Sequence, residues 1–141
     1  VRSGAATYPL QPATMRSATV DELQRMLGSV RLVDARAAER YRGEVEPLDA
    51  RAGHIPGALN RFFQHNLADN GRFKPADDLR REFTALLGGD TGAGVVHQCG
   101  SGVSACHNLL AMEVAGLSGS ALYPGSWSEW SSDPARPAAQ G

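Results

Sequence analysis

The sequence predicts an α/β fold: a central, mainly parallel sheet of about five strands with helices on both faces. Two observations carry this. Short apolar, strand-like runs alternate along the chain with helix-period patterns. One such run, Val95 to Gln98, ends at Cys99 and passes through a Gly/Ser-rich turn straight into a helix, Ser104 to Val114, with apolar Leu109, Leu110, Met112 and Val114. A ligand-facing residue in an open α/β sheet belongs at such a strand end.

The elements follow in order. Residues 1–18, rich in Ala, Ser, Thr and Pro, read as a linker. Thr19-Val20-Asp21-Glu22 is a capping box that opens a helix with Leu23, Met26 and Leu27 on one side, stopped at Gly28. Val30 to Asp34 is a strand, and Ala37 to Gly43 a short helix carrying Arg40 and Arg42, with Arg36 just ahead. Pro56-Gly57 is a tight turn before a short strand beginning at Ala58-Leu59, and Asp69-Asn70-Gly71 is another turn. Pro75 opens a helix over Ala76 to Leu87, with Leu79, Phe83, Leu86 and Leu87 inward. The segment from Gly88 to Gly92 ends it and leads into the cysteine-bearing strand. Gly116 closes the helix after Cys99, Ser120 to Tyr123 is the last strand, and Trp127 and Trp130 fall on one side of a final short helix as core. The domain therefore runs over residues 19–131, with 132–141 a frayed tail.

Composition excludes several functions. The chain has 141 residues and a formal net charge of −1, enough for one domain with a real core. No basic patch interleaved with aromatics suggests nucleic acid, and no apolar run reaches membrane-spanning length. No secretory signal pattern is visible, and two cysteines make no disulfide framework, so a reducing cytoplasm is expected. Cys99 and Cys106 have neither metal-ligand nor redox C-x-x-C spacing; no metal and no organic cofactor are expected.

Cys99 admits two readings: a buried structural thiol beside an ordinary turn, or a nucleophile. The second rests on chemistry. The first N–H groups of a helix lack partners, and Gly100 and Gly102 permit the dihedrals that curl further N–H groups around one point. A thiol placed there ionises more easily. Ser101 and Ser104 add hydroxyls. The loop contains no Lys or Arg, and a phosphatase-type C-x5-R loop would need arginine where Ala105 stands.

Cys99-Gly100-Ser101-Gly102-Val103-Ser104-Ala105 resembles the active-site loop of the 3-mercaptopyruvate sulfurtransferases, in the rhodanese superfamily. Gly53-His54-Ile55-Pro56-Gly57-Ala58 and Gly125-Ser126-Trp127-Ser128-Glu129-Trp130 are similar to two further segments of that family. The family usually has threonine at Ser104, so the hydroxyl is kept. The resemblance spans about residues 19–131 and implies a rhodanese-like fold. It also implies sulfur transfer from 3-mercaptopyruvate through a Cys99 persulfide, to cyanide or a thiol acceptor such as thioredoxin. Thiosulfate-specific relatives carry basic residues just after the cysteine; the neutral loop here points to mercaptopyruvate, leaving a thiosulfate sulfurtransferase and a non-catalytic binding module as alternatives.

By the same resemblance Arg40, in its Arg-Tyr-x-Gly setting, holds the substrate carboxylate, a match of guanidinium to carboxylate geometry. Arg51 is the candidate for a second substrate arginine, or else it pairs with Asp49 or Glu46 at the surface. Gly100, Gly102, Val103 and Ser104 bind the sulfur through the loop, and Ser101 relays a proton. His54 is expected to fix a turn rather than act in catalysis. The family's tandem architecture implies that this chain is the second, catalytic module and that an N-terminal rhodanese module is missing from it.

Overall fold

Five short strands lie side by side and all run the same way. The structure, a computed structural model, describes residues 16–46, 49, 51–88, 94–100 and 103–141. The strands are β1 (Arg16–Ser17), β2 (Arg31–Asp34), β3 (Leu59–Asn60), β4 (Val95–Gln98) and β5 (Ala121–Leu122). They are ordered β1-β5-β4-β2-β3, and every pairing is parallel. The helices are α1 (Val20–Met26), α2 (Ala38–Arg42), α3 (Ala76–Leu87), α4 (Val103–Val114) and α5 (Ser126–Ser131), with a 3₁₀ turn over Phe63–Asn66.

Side chains alternate across a strand, so a parallel sheet needs a cover on each face. Leu32 of β2 pairs with Val96 of β4, and both pack on one face with Leu23 of α1 and Trp127 and Trp130 of α5. Val33 and Val95 point the other way and meet Leu79, Phe83 and Leu87 of α3 and Met112 of α4. Leu86 is partly buried against that second cluster. This is the two-sided cover expected from the alternation of elements.

Local signals mark the ends. Thr19 Oγ1 accepts from the Glu22 N–H at 3.2 Å while the Glu22 carboxylate accepts from the Thr19 N–H at 2.8 Å, so the capping box forms as read. The Glu22 carboxyl is held below its ordinary pKa chiefly by that bond. Helix α3 begins directly after Pro75 and ends at Gly88. His54 has the structural place expected: its Nδ1–H donates to the Tyr41 carbonyl at 2.7 Å, and its ring stacks on Tyr41 at 3.8 Å.

Both ends of the chain depart from expectation. The linker expected over residues 1–18 stops earlier, because Arg16–Ser17 pairs with Ala121–Leu122 as edge strand β1; residues 1–15 lie outside the described residues. The C-terminal segment is not frayed. Ala139 forms an antiparallel bridge with His54 (2.8 and 2.9 Å), the Trp130 indole N–H donates to Pro137 O at 2.7 Å, and Gly141 N–H donates to Arg42 O at 2.9 Å. Gly53 makes room for this return: it sits at φ 119, and a Cβ there would lie 2.3 Å from the Ala139 carbonyl oxygen. A Ser/Pro/Ala-rich composition conceals such packing because main-chain groups, one indole and the Arg51 guanidinium do the holding.

Candidate active site

Cys99 leaves β4 at the carboxyl end of the middle strand, between that strand and α4. Only 2% of it is exposed. On one side it packs with Ala35, Ala105, Leu109 and Leu122. On the other it lines a cavity of about 240 Å³, with Arg36, Arg40, Asp49, Gly100, Ser104 and Ser128 around it. Larger hollows exist, one of about 390 Å³ beside Arg80 and Thr84, but the described residues put no thiol in it.

The first turn of α5 fixes the cysteine. The Cys99 N–H donates to Ser126 Oγ at 3.0 Å, and that hydroxyl donates to Tyr123 O at 3.0 Å. The Trp127 N–H donates to Cys99 O at 2.8 Å and the Ser128 N–H to Gly100 O at 2.9 Å. Ser126 is fully buried and held at φ 55, a left-handed conformation uncommon for a non-glycine residue. Sequence reasoning attended to the two tryptophans of this segment and missed Ser126. The available signal was a hydroxyl residue between a strand and a helix rich in aromatics.

Arg40 reaches the same cavity from α2. Its Nη2 lies 3.2 Å from Glu46 Oε2 and 3.4 Å from Asp49 Oδ2. A Cβ on Gly100 would sit 3.4 Å from both terminal nitrogens of Arg40. That is an ordinary van der Waals distance, so the guanidinium passes directly over Gly100 without demanding a glycine there, and the φ of Gly100 lies outside the left-handed range. That replaces the expectation of an unusual dihedral at this position.

Arg36 is buried and bound to Asp34, with Nη2–Oδ2 at 2.7 Å, and donates to Gly53 O at 2.6 Å. Its guanidinium carbon stands 5.1 Å from the Trp127 ring centroid. It braces the cavity wall.

Arg51 is a correction. Its guanidinium donates to the carbonyls of Ser131 (3.2 Å), Asp133 (3.1 Å) and Arg136 (2.8 Å), and it does not line the cavity. The alternative surface pairing with Asp49 or Glu46 is not made either, since those carboxylates engage Arg40. Three carbonyls at the end of α5 and beyond have unmet acceptor capacity, and a planar fork satisfies them together. Asp49 and Ser128, joined by a 2.7 Å hydrogen bond from the Ser128 hydroxyl, are cavity residues that the sequence reading did not single out.

Among the other expected site residues, Ser104 lines the cavity and Val103 is the first residue of α4. Ser101 and Gly102 lie outside the described residues. Cys106 sits on α4, its thiol pKa raised by partial burial and then by the nearby Cys99. Among the described residues no cluster of three or more His, Cys, Asp or Glu is placed to hold a metal ion, and no helix is long and apolar enough to cross a membrane.

A cysteine at the end of a central parallel strand, lining one small cavity with a guanidinium, defines a cysteine-centred α/β domain. A Rhodanese-like domain model matches residues 19–133, and the chain belongs to that family. It is 54% identical over 121 residues to a "Probable 3-mercaptopyruvate sulfurtransferase" of Pseudomonas aeruginosa, covering 84% of this chain and 43% of that protein. It is 50% identical over 126 residues to a Mycobacterium tuberculosis protein whose name, likewise provisional, is that of a thiosulfate sulfurtransferase (87% and 43% covered). Human 3-mercaptopyruvate sulfurtransferase is 38% identical over 125 residues (86% and 41%). The chain thus spans less than half the length of these relatives. A solved anaerobic ergothioneine biosynthesis enzyme from Chlorobium limicola superposes with a TM-score of 0.80 at 25% identity, over 96% of this chain and 34% of that one, a likeness of fold.

Proposed function

We propose that this chain is the catalytic module of a sulfurtransferase that takes sulfur from 3-mercaptopyruvate. The observation that carries the reading is the meeting of Cys99, Gly100, Ser104 and Arg40 around one cavity at the carboxyl end of the sheet. Arg40 orients the donor carboxylate through paired N–H bonds. The Cys99 thiolate attacks the donor sulfur; the carbon–sulfur bond breaks, and its electron pair leaves with pyruvate as the enolate. A proton, relayed by the Ser101 hydroxyl, completes pyruvate. Main-chain N–H groups of the loop and of the start of α4 stabilise the anionic sulfur.

The Cys99 persulfide then yields its outer sulfur to cyanide, giving thiocyanate, or to a thiol acceptor of the thioredoxin kind, and the Cys99 thiolate returns. Two half-reactions through a covalent intermediate give ping-pong kinetics. In this reading the chain is the second module of a tandem protein of the cytoplasm. The absence of any Lys or Arg from Gly100 to Cys106 supports mercaptopyruvate over the dianion thiosulfate.

Intact-mass measurement tests the reading. Treatment with 3-mercaptopyruvate is expected to add about 32 Da, one sulfur, to the chain and nothing to a Cys99→Ser variant. No adduct on the native chain leaves a binding module. Faster loading from thiosulfate than from mercaptopyruvate transfers the assignment to a thiosulfate sulfurtransferase.

A further inference from the structure

One cavity residue opposes the charge of the substrate. Asp49 presents a carboxylate to the same small space as Cys99. Its Oδ1 accepts from the Ser128 hydroxyl at 2.7 Å, while Oδ2 stands 3.4 Å from Arg40 Nη2. The second contact is at the outer limit of a hydrogen bond, so it is the weaker hold. Glu46, by contrast, is anchored behind the cavity. Its Oε2 accepts from the Asp49 N–H at 2.9 Å and from Arg40 at 3.2 Å, and its Oε1 lies 3.5 Å from Arg36 Nη1. Asp34 neutralises Arg36 from the sheet side.

The charges can be counted. The cationic groups are Arg36 and Arg40; the anionic ones joined to them are Asp34, Glu46 and Asp49. Among the described residues this network carries one more negative than positive charge. A donor carboxylate approaching Arg40 meets a guanidinium already neutralised and a carboxylate on the same wall.

The geometry points to Asp49 as the residue that sets the charge selectivity of the cavity: a monoanion enters by displacing it from Arg40, and a dianion is disfavoured more strongly. The inference rests on the proposed sulfurtransferase reading for its natural donors only; the discrimination by charge is a property of the cavity. The physical reason for discrimination is simple. Coulomb energy is proportional to the ligand's charge, so whatever factor Asp49 costs a monoanion, it costs a dianion the square of that factor. At short range near a protein surface, with salt present, about fivefold for a monoanion and roughly twenty-five-fold for a dianion is the expected order.

Alkylation of Cys99 provides the test, with Cys106→Ser as background because Cys106 is exposed. Neutral iodoacetamide and anionic iodoacetate each lose iodide to the same thiolate, so the ratio of their rates isolates charge from thiol reactivity. Asp49→Asn, which keeps a hydrogen-bond acceptor for Ser128, is expected to raise the iodoacetate-to-iodoacetamide ratio about fivefold. It is also expected to raise persulfide loading from thiosulfate more than loading from 3-mercaptopyruvate. Asp49→Glu keeps the charge and is expected to hold the ratio near the native value. Ser128→Ala removes the tether without the charge and is expected to do the same.

An Asp49→Asn ratio within twofold of native overturns the inference. So does a Ser128→Ala shift as large as that of Asp49→Asn, which would assign the effect to loop position. If no variant forms a persulfide with either donor, the sulfurtransferase reading falls while the alkylation ratio still decides the role of Asp49.

Discussion

At the scale of the residue, neighbouring arginines with the same chemistry have different fates. Arg36 is buried against Asp34, Arg40 lines the same cavity as Cys99, and Arg51 ties down main-chain carbonyls far along the chain. In the proposed reading Arg40 binds the donor carboxylate, while Arg36, also at the cavity wall, is held by Asp34 and Gly53 O. Lysine there keeps the charge and loses the fork, so Arg40→Lys is expected to raise KM for 3-mercaptopyruvate about tenfold while changing kcat much less. Steady-state pyruvate release measures this; a fall in kcat with KM unmoved contradicts the anchoring role. His97 of β4 makes a different kind of prediction. It is fully buried, both ring nitrogens lack hydrogen bonds, and burial pushes its pKa from 6.5 to about 3. Well above pH 6.5 it is neutral in both the folded and the unfolded chain. As pH falls below 6.5 the unfolded chain binds a proton that the native chain refuses, so stability is lost progressively toward pH 3. Between pH 7 and pH 5 this residue is expected to remove about 2 kcal/mol, read from urea midpoints. A His97→Gln variant should show a shallower dependence over that window; equal slopes would contradict the assignment.

At the scale of the element, helices α1 and α3 were readable because their signals are local. A capping box, a leading proline, a closing glycine and an apolar period act within a few residues. Helix α5 was readable as a helix but not as a brace. Its task depends on Ser126 meeting the Cys99 N–H, a partner 27 positions earlier in the chain. Ser126→Ala leaves that buried N–H without an acceptor, at a cost of about 1–3 kcal/mol. The expected outcome is a lower melting temperature together with slower persulfide loading at saturating donor. Normal loading on a protein of normal stability would show that the bond does not position the thiol.

At the scale of the whole molecule, the return of the C-terminal segment closes the structure. It links α5 to the turn at Gly53-His54 and to the end of α2, the helix that carries Arg40. Arg51 belongs to this closure, donating to Asp133 and Arg136 as well as Ser131. Removing residues 133–141 is therefore expected to lower the melting temperature by about 8 °C. Trp130, fully buried with its indole N–H on Pro137, should also shift its fluorescence to the red. A truncated chain that melts and fluoresces like the native one would restore the frayed tail.

The sequence by itself determined the α/β class, the limits of the capped helices, and the place of Cys99 between a buried strand and a helix. Each of these is written in short-range periodicity or in turn chemistry. The resemblance of the residues immediately around it also pointed to Arg40, which the structure places at the cavity wall. Only the tertiary structure decided which arginines line the cavity beside the cysteine, that Asp49 shares the cavity, that Ser126 holds the cysteine main chain, and that the C-terminal segment packs. The physical reason is common to all four. A salt bridge, a carbonyl contact or a bridge between distant segments depends on which surfaces the sheet brings together, and residue spacing along the chain does not encode that distance.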